Sequence, residues 1–131
     1  MLNPSRIKAI TLDLDDTLWP IWPTIARAET ALTDWLADRA PATVALLAQP
    51  EVKRQIRADT EAQFAHLAHD LGVIRREAIR LALQRAGDDT TLAEPAFDVF
   101  FDARHQVDLF ADALPALEAL SARYPLVALT N

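Results

Sequence analysis

Two short apolar runs constrain this chain more than any other feature. Ile7, Ala9, Ile10, Leu12 and Leu14 are apolar with little alternation, and Leu126-Val127-Ala128-Leu129 repeats the pattern near the other end. Such runs read as strands buried on both faces, the kind found in parallel sheets. Between Pro23 and Val107 the periodicity is helical throughout. Ile25, Ala28, Leu32, Trp35 and Leu36 make one stripe, and Val52, Ile56, Phe64, Leu67 and Leu71 a second that Gly72 is expected to cap. Ile74 to Ala86 reads as a third helix stopped at Gly87, and Pro95 to Gln106 as a fourth with Phe97, Phe100 and Phe101 as bundle core. Pro41 and Pro50 punctuate the stretch, and Trp19-Pro20-Ile21-Trp22-Pro23 reads as a turn. About eighty residues of helix without a strand is a bundle-sized unit. Next, Asp112 is placed as an N-cap, Leu114, Leu117 and Leu120 as a helix face, and Pro125 as its break. A strand, a helix and a second parallel strand form a right-handed crossover unit, here with a helical block inserted early. The expected fold class is α/β.

Composition removes many chemistries. The 131 residues include no cysteine, which excludes thiol nucleophiles, disulfides, iron–sulfur clusters and thiolate zinc sites. The only glycines are Gly72 and Gly87, so a glycine-rich phosphate cradle is impossible. Neither Ser5 nor Ser121 stands in a G-x-S-x-G setting. A net charge of -6 and a pI near 4.9 argue against nucleic acid as a partner. With no targeting signal and no apolar run long enough for a bilayer, a cytoplasmic location is expected and membrane attachment is not. Carboxylates, threonines, asparagine and three histidines remain.

In open α/β sheets ligands bind beyond the carboxyl ends of the strands, so Asp13, Asp15, Thr17, Thr130 and Asn131 are expected to share one rim. A calcium loop starting at Asp13 fails, because Leu18 and Thr24 stand where glycine and glutamate are needed. A solvated strand end with chance carboxylates is the plain alternative. Phosphoryl chemistry accounts for each residue. A carboxylate is ionised at neutral pH without help, so Asp13 suits a nucleophile. Its repulsion from a phosphate dianion calls for Mg²⁺ and hydrogen-bond donors. Asp15, two residues on, reaches the leaving-group oxygen as an acid, and the Thr130 hydroxyl suits a phosphate oxygen. A phospho-acceptor receiver domain is disfavoured, because its phosphorylated Asp lies on a different strand from its acidic pair.

The wording "ITLDLDDTLW", followed after the helical block by "LPALEALSARYPLVALTN", closely resembles the haloacid dehalogenase superfamily along the whole chain. The resemblance implies a partial doubly wound, Rossmann-like parallel sheet with an inserted all-helical cap of the C1 type. It implies core segments at 1–19 and 108–131 and a cap at 20–107. It makes Asp13 the residue that is phosphorylated and Asp15 the acid, then base. Phosphate binding is carried over to Thr130, Asn131 and Leu14, and Mg²⁺ binding to Asp13 and Asp15, the latter through its backbone carbonyl. An Asp at position 15 looks like a phosphatase, since the dehalogenases of this superfamily lack a carboxylate there. The wording is similar to bacterial phosphatases of flavin nucleotides, their precursors or sugar phosphates, which implies a small phosphorylated metabolite as partner. The same fold admits a dehalogenase or phosphomutase; a noncatalytic, partner-binding fragment is the reading of another class. Family members continue with a motif-three Lys or Arg and motif-four acids, whereas Lys8 and Lys53 precede Thr130 and no acid follows Asn131. The chain is therefore expected to be an N-terminal half, inactive alone and prone to self-association.

Among other residues, His66 and His69 read as ordinary helix histidines. Arg75, Arg76 and Arg80 read first as a solvated face, with Arg75 a candidate grip on a second substrate anion. Trp19 and Trp22 either stack on substrate or pack between cap and core, and Trp22 is the candidate contact. Asp16 reads as solvent-facing or locally bonded.

Overall fold

A computed structural model describes residues 1 and 3–130. The chain runs β1 (Ile10–Leu12), α1 (Ile21–Ala37), α2 (Pro41–Leu47), α3 (Pro50–Gln63), α4 (Leu71–Ala86), α5 (Ala93–Arg104), α6 (Ala113–Ser121) and β2 (Leu126–Ala128). β1 and β2 pair in parallel, with Ile10 opposite Leu126, Thr11 opposite Val127 and Leu12 opposite Ala128. The architecture is α/β, a parallel strand pair with a long helical insertion. Two compact units result: Met1–Ala26 together with the segment from Gln106 onward, and Arg27–His105. The division falls within α1.

The helical unit follows its periodicity in part. The stripe from Val52 to Leu71 is split, because α3 ends at Gln63 and Leu71 opens α4. Leu71 and Phe101 stay 68% and 47% exposed rather than joining the core. Ala28, Leu32 and Leu36 recur every four residues along α1 and are buried, as are Ile56 of α3, Ile74, Ile79 and Leu83 of α4, and Phe97 and Phe100 of α5. Each large side chain so buried contributes about 2 kcal/mol. Among the described residues, no strand interrupts this unit.

Several local expectations are corrected. Pro41 and Pro50 open α2 and α3 rather than breaking a helix, because the first helical position has no N–H to bond and its φ suits proline. The supposed turn at Ile21–Pro23 is the first turn of α1 for the same reason. Gly72 caps nothing. It lies in the first turn of α4, whose N-cap is Asp70 with its carboxylate accepting from Val73 N at 3.0 Å. Gly87 does cap α4, at a φ of 80° that favours glycine. Asp112 occupies the N-cap of α6 without a side-chain bond, and that helix ends before Pro125 is reached. Both strands are shorter than their apolar runs. Neither is buried on both faces: β1 alternates half-buried and exposed residues, and Val127 and Leu129 stay 53% and 67% exposed. Two strands and α6 offer too little surface to cover both sides of the pair.

Candidate active site

Parallel pairing sets the site. Leu129 N donates to Leu12 O at 2.8 Å, carrying the register one step past β2. Asp13 is the first residue beyond β1, and Thr130 stands two beyond β2, both exposed. The fold thus brings Asp13, Asp15 and Thr130 to the carboxyl ends of neighbouring strands, where a crossover sheet binds ligands. Asn131 lies outside the described residues.

The chain then turns sharply. Leu14 O accepts from Thr17 N at 3.1 Å and Leu18 N at 2.8 Å, so the Leu14 carbonyl is engaged within the turn. Asp16 adopts the left-handed region at φ 59°, which Asp tolerates better than most side chains. Its N–H donates to Trp19 O at 2.7 Å, and its carboxylate accepts from Ile21 N at 2.9 Å, capping α1. Asp16 is exposed and locally bonded, in keeping with its sequence reading. Phe110 N donates to Leu18 O at 2.9 Å, tying the turn to the segment before α6. Asp15 is half-buried inside this turn, and its Oδ1 accepts the Trp19 indole N–H at 2.9 Å. Sequence reasoning missed that contact. The only signal was an indole donor four residues after an acid, and the turn that joins them has no period to read.

The remaining candidates stand elsewhere. Trp22, on the first turn of α1, is 76% exposed. Arg75 belongs to the helical unit, where it pairs with Glu29 at 2.5 Å and lies over the Phe100 ring at 3.8 Å. Arg76 sits over Phe97, and its Nε is 2.9 Å from a Glu94 oxygen without lining up for a hydrogen bond. Arg80 pairs with Glu77 and Glu94. A groove of about 430 Å³ in this unit is lined by Leu32, Ile56, Ile74, Glu29, Lys53 and Arg75 among others, and by none of Asp13, Asp15 or Thr130. His66 and His69 are exposed; among the described residues, no three His, Asp or Glu side chains group to hold a metal ion. No described helix is long and apolar enough to cross a membrane.

An acid pair on one parallel strand end, a threonine on the next, and a helical insertion between them define a core-and-cap architecture. Two known proteins are similar to the chain over nearly its whole length. The chain is 31% identical over 130 residues to 5-amino-6-(5-phospho-D-ribitylamino)uracil phosphatase YigB of Escherichia coli (strain K12), covering 96% of this chain and 54% of that protein. A crystal structure of 2-haloacid dehalogenase from Pseudomonas syringae pv. Tomato DC3000 superposes with a TM-score of 0.83 at 38% identity, covering 95% of this chain and 55% of that one. The chain thus spans about half the length of each. No protein-family model matches. Motif order, fold and these two relatives all support a haloacid dehalogenase superfamily hydrolase fold.

Proposed function

We propose that this chain carries the nucleophile and the acid–base group of a Mg²⁺-dependent phosphatase acting on a small phosphate monoester. The observation that carries the reading is the placement of Asp13 and Asp15 on one strand end beside the strand that leads to Thr130. The Asp13 carboxylate attacks phosphorus while Asp15 gives its proton to the departing alcohol oxygen. Asp15 then takes a proton from water, which attacks the aspartyl-phosphate and regenerates Asp13. The Thr130 hydroxyl holds a phosphate oxygen during both steps, and the Leu14 N–H supplies a second donor.

The Asp13 carboxylate and the Asp15 backbone carbonyl are hard oxygen donors of the kind that would hold Mg²⁺. When bound, the ion offsets the repulsion between carboxylate and phosphate. The substrate class follows the relative whose name specifies a phosphorylated ribitylamino-uracil, so a polyol phosphate joined to a heterocycle is the first candidate. The helical unit is the proposed cap; Arg75 on it and Trp22 on the first turn of α1 are the candidate substrate contacts.

The likeness to a 2-haloacid dehalogenase favours a second reading, in which a carboxylate displaces halide from carbon. Halide leaves without a proton and gives Asp15 no task, which favours the phosphatase. In the complete gene product, Asp13→Asn is expected to reduce phosphate release from such esters to background. Near-normal release from that variant would overturn the covalent mechanism, and chloride release from a 2-chloroacid would establish the second reading.

A further inference from the structure

Trp19 has no part in the reaction just described, yet its one polar atom is committed to a group that does. Its indole N–H reaches Asp15 Oδ1 at 2.9 Å, the ordinary length for this bond. The backbone that presents the indole is fixed on all sides. Asp16 N donates to Trp19 O at 2.7 Å, Leu18 N to Leu14 O at 2.8 Å, Ile21 N to the Asp16 carboxylate at 2.9 Å, and Phe110 N to Leu18 O at 2.9 Å. The left-handed Asp16 makes this closure possible. The ring is half-buried. An unrestrained aspartate has a broad, roughly two-fold χ2, so its carboxylate plane is not fixed by the backbone.

We propose that Trp19 is the positioning residue of Asp15, setting the plane in which its carboxylate meets the leaving group. The inference rests on the acid–base role proposed for Asp15. An indole N–H donates and never accepts. Asp15 Oδ1 is therefore the acceptor in this contact, and the bond orients the carboxylate about its χ2.

The test uses the complete gene product with Mg²⁺ and two esters, an alkyl phosphate and p-nitrophenyl phosphate. Trp19→Phe keeps the ring packing and removes the donor. With the alkyl phosphate, whose leaving oxygen needs a proton, kcat is expected to fall about tenfold while KM changes less than about twofold. The single-turnover phosphorylation by p-nitrophenyl phosphate, whose leaving group departs as an anion, is expected to be unchanged. In an Asp15→Ala background, Trp19→Phe is expected to add nothing. Equal slowing with both esters, no slowing with either, or an additive loss in the Asp15→Ala background would overturn the proposal.

A second measurement separates this inference from the reading it rests on. The Trp19 indole proton, assigned by its disappearance in Trp19→Phe, is expected to resonate downfield and to move upfield in Asp15→Ala but not in Asp15→Asn. If the unaltered protein hydrolyses neither ester, the phosphatase reading fails. The contact is then judged by this resonance alone, and an unmoved signal in Asp15→Ala overturns it.

Discussion

Glu29 receives two cations at once, Lys53 Nζ at 2.9 Å and Arg75 at 2.5 Å. Burial raises the pKa of its carboxyl, but the bonds and charges of Lys53 and Arg75 outweigh that and hold it below the ordinary value of 4.5. Acid therefore protonates Glu29 in the unfolded chain before it does so in the folded one. Its contribution to stability is complete above the unfolded value and is lost as pH falls through the lowered folded value. Glu29→Gln is expected to melt below the parent protein at neutral pH, with the gap closing as pH falls below the ordinary value of 4.5. Melting curves of both proteins across that range check the sign, and a gap that widens in acid would contradict it. The same arrangement engages Arg75, so any substrate contact it makes must compete with Glu29 and Phe100.

At the scale of elements, α2 depends on a residue far along the chain. Its N-cap, Ala40, offers no side-chain oxygen, and Asp88 supplies one instead. Asp88 Oδ2 accepts from Thr43 N at 2.8 Å and Thr43 Oγ1 at 2.7 Å, with Thr43 fully buried. Asp88→Ala is expected to cost about 1–2 kcal/mol. Denaturant unfolding measures it, and a loss under about 0.3 kcal/mol would show that water replaces the carboxylate. This contact marks the boundary of what the sequence discloses. Strand ends and helix faces were legible because their periods are local: Asp13, Asp15 and Thr130 fall at the ends of apolar runs, and Leu32, Leu36, Phe97 and Phe100 at helical spacing. The prolines misled because one residue type both opens and breaks helices, so that Pro41 and Pro50 read as punctuation. Gly72 misled likewise, since only a positive φ separates a cap such as Gly87 from a glycine that merely lies in a helix. The Asp15 to Trp19 and Asp88 to Thr43 bonds depend on turns and tertiary pairing, which have no period at all.

At the scale of the molecule, the core segments present apolar surface: Leu114 is 56% exposed, Val127 53% and Leu129 67%. A two-stranded sheet rarely stands alone in water. The 131 residues expressed by themselves are expected to self-associate. Sedimentation checks this, and a stable monomer would contradict it. The proposed reaction centres on a covalent bond from Asp13 to phosphorus, and trapping tests it most directly. The complete gene product should be mixed with a phosphate ester and Mg²⁺, quenched in acid within one turnover, digested, and read by mass spectrometry. Phosphate is expected on the peptide bearing Asp13, lost on treatment with hydroxylamine and absent in Asp13→Asn. Turnover without label on that peptide, or label that persists in Asp13→Asn, would contradict the account.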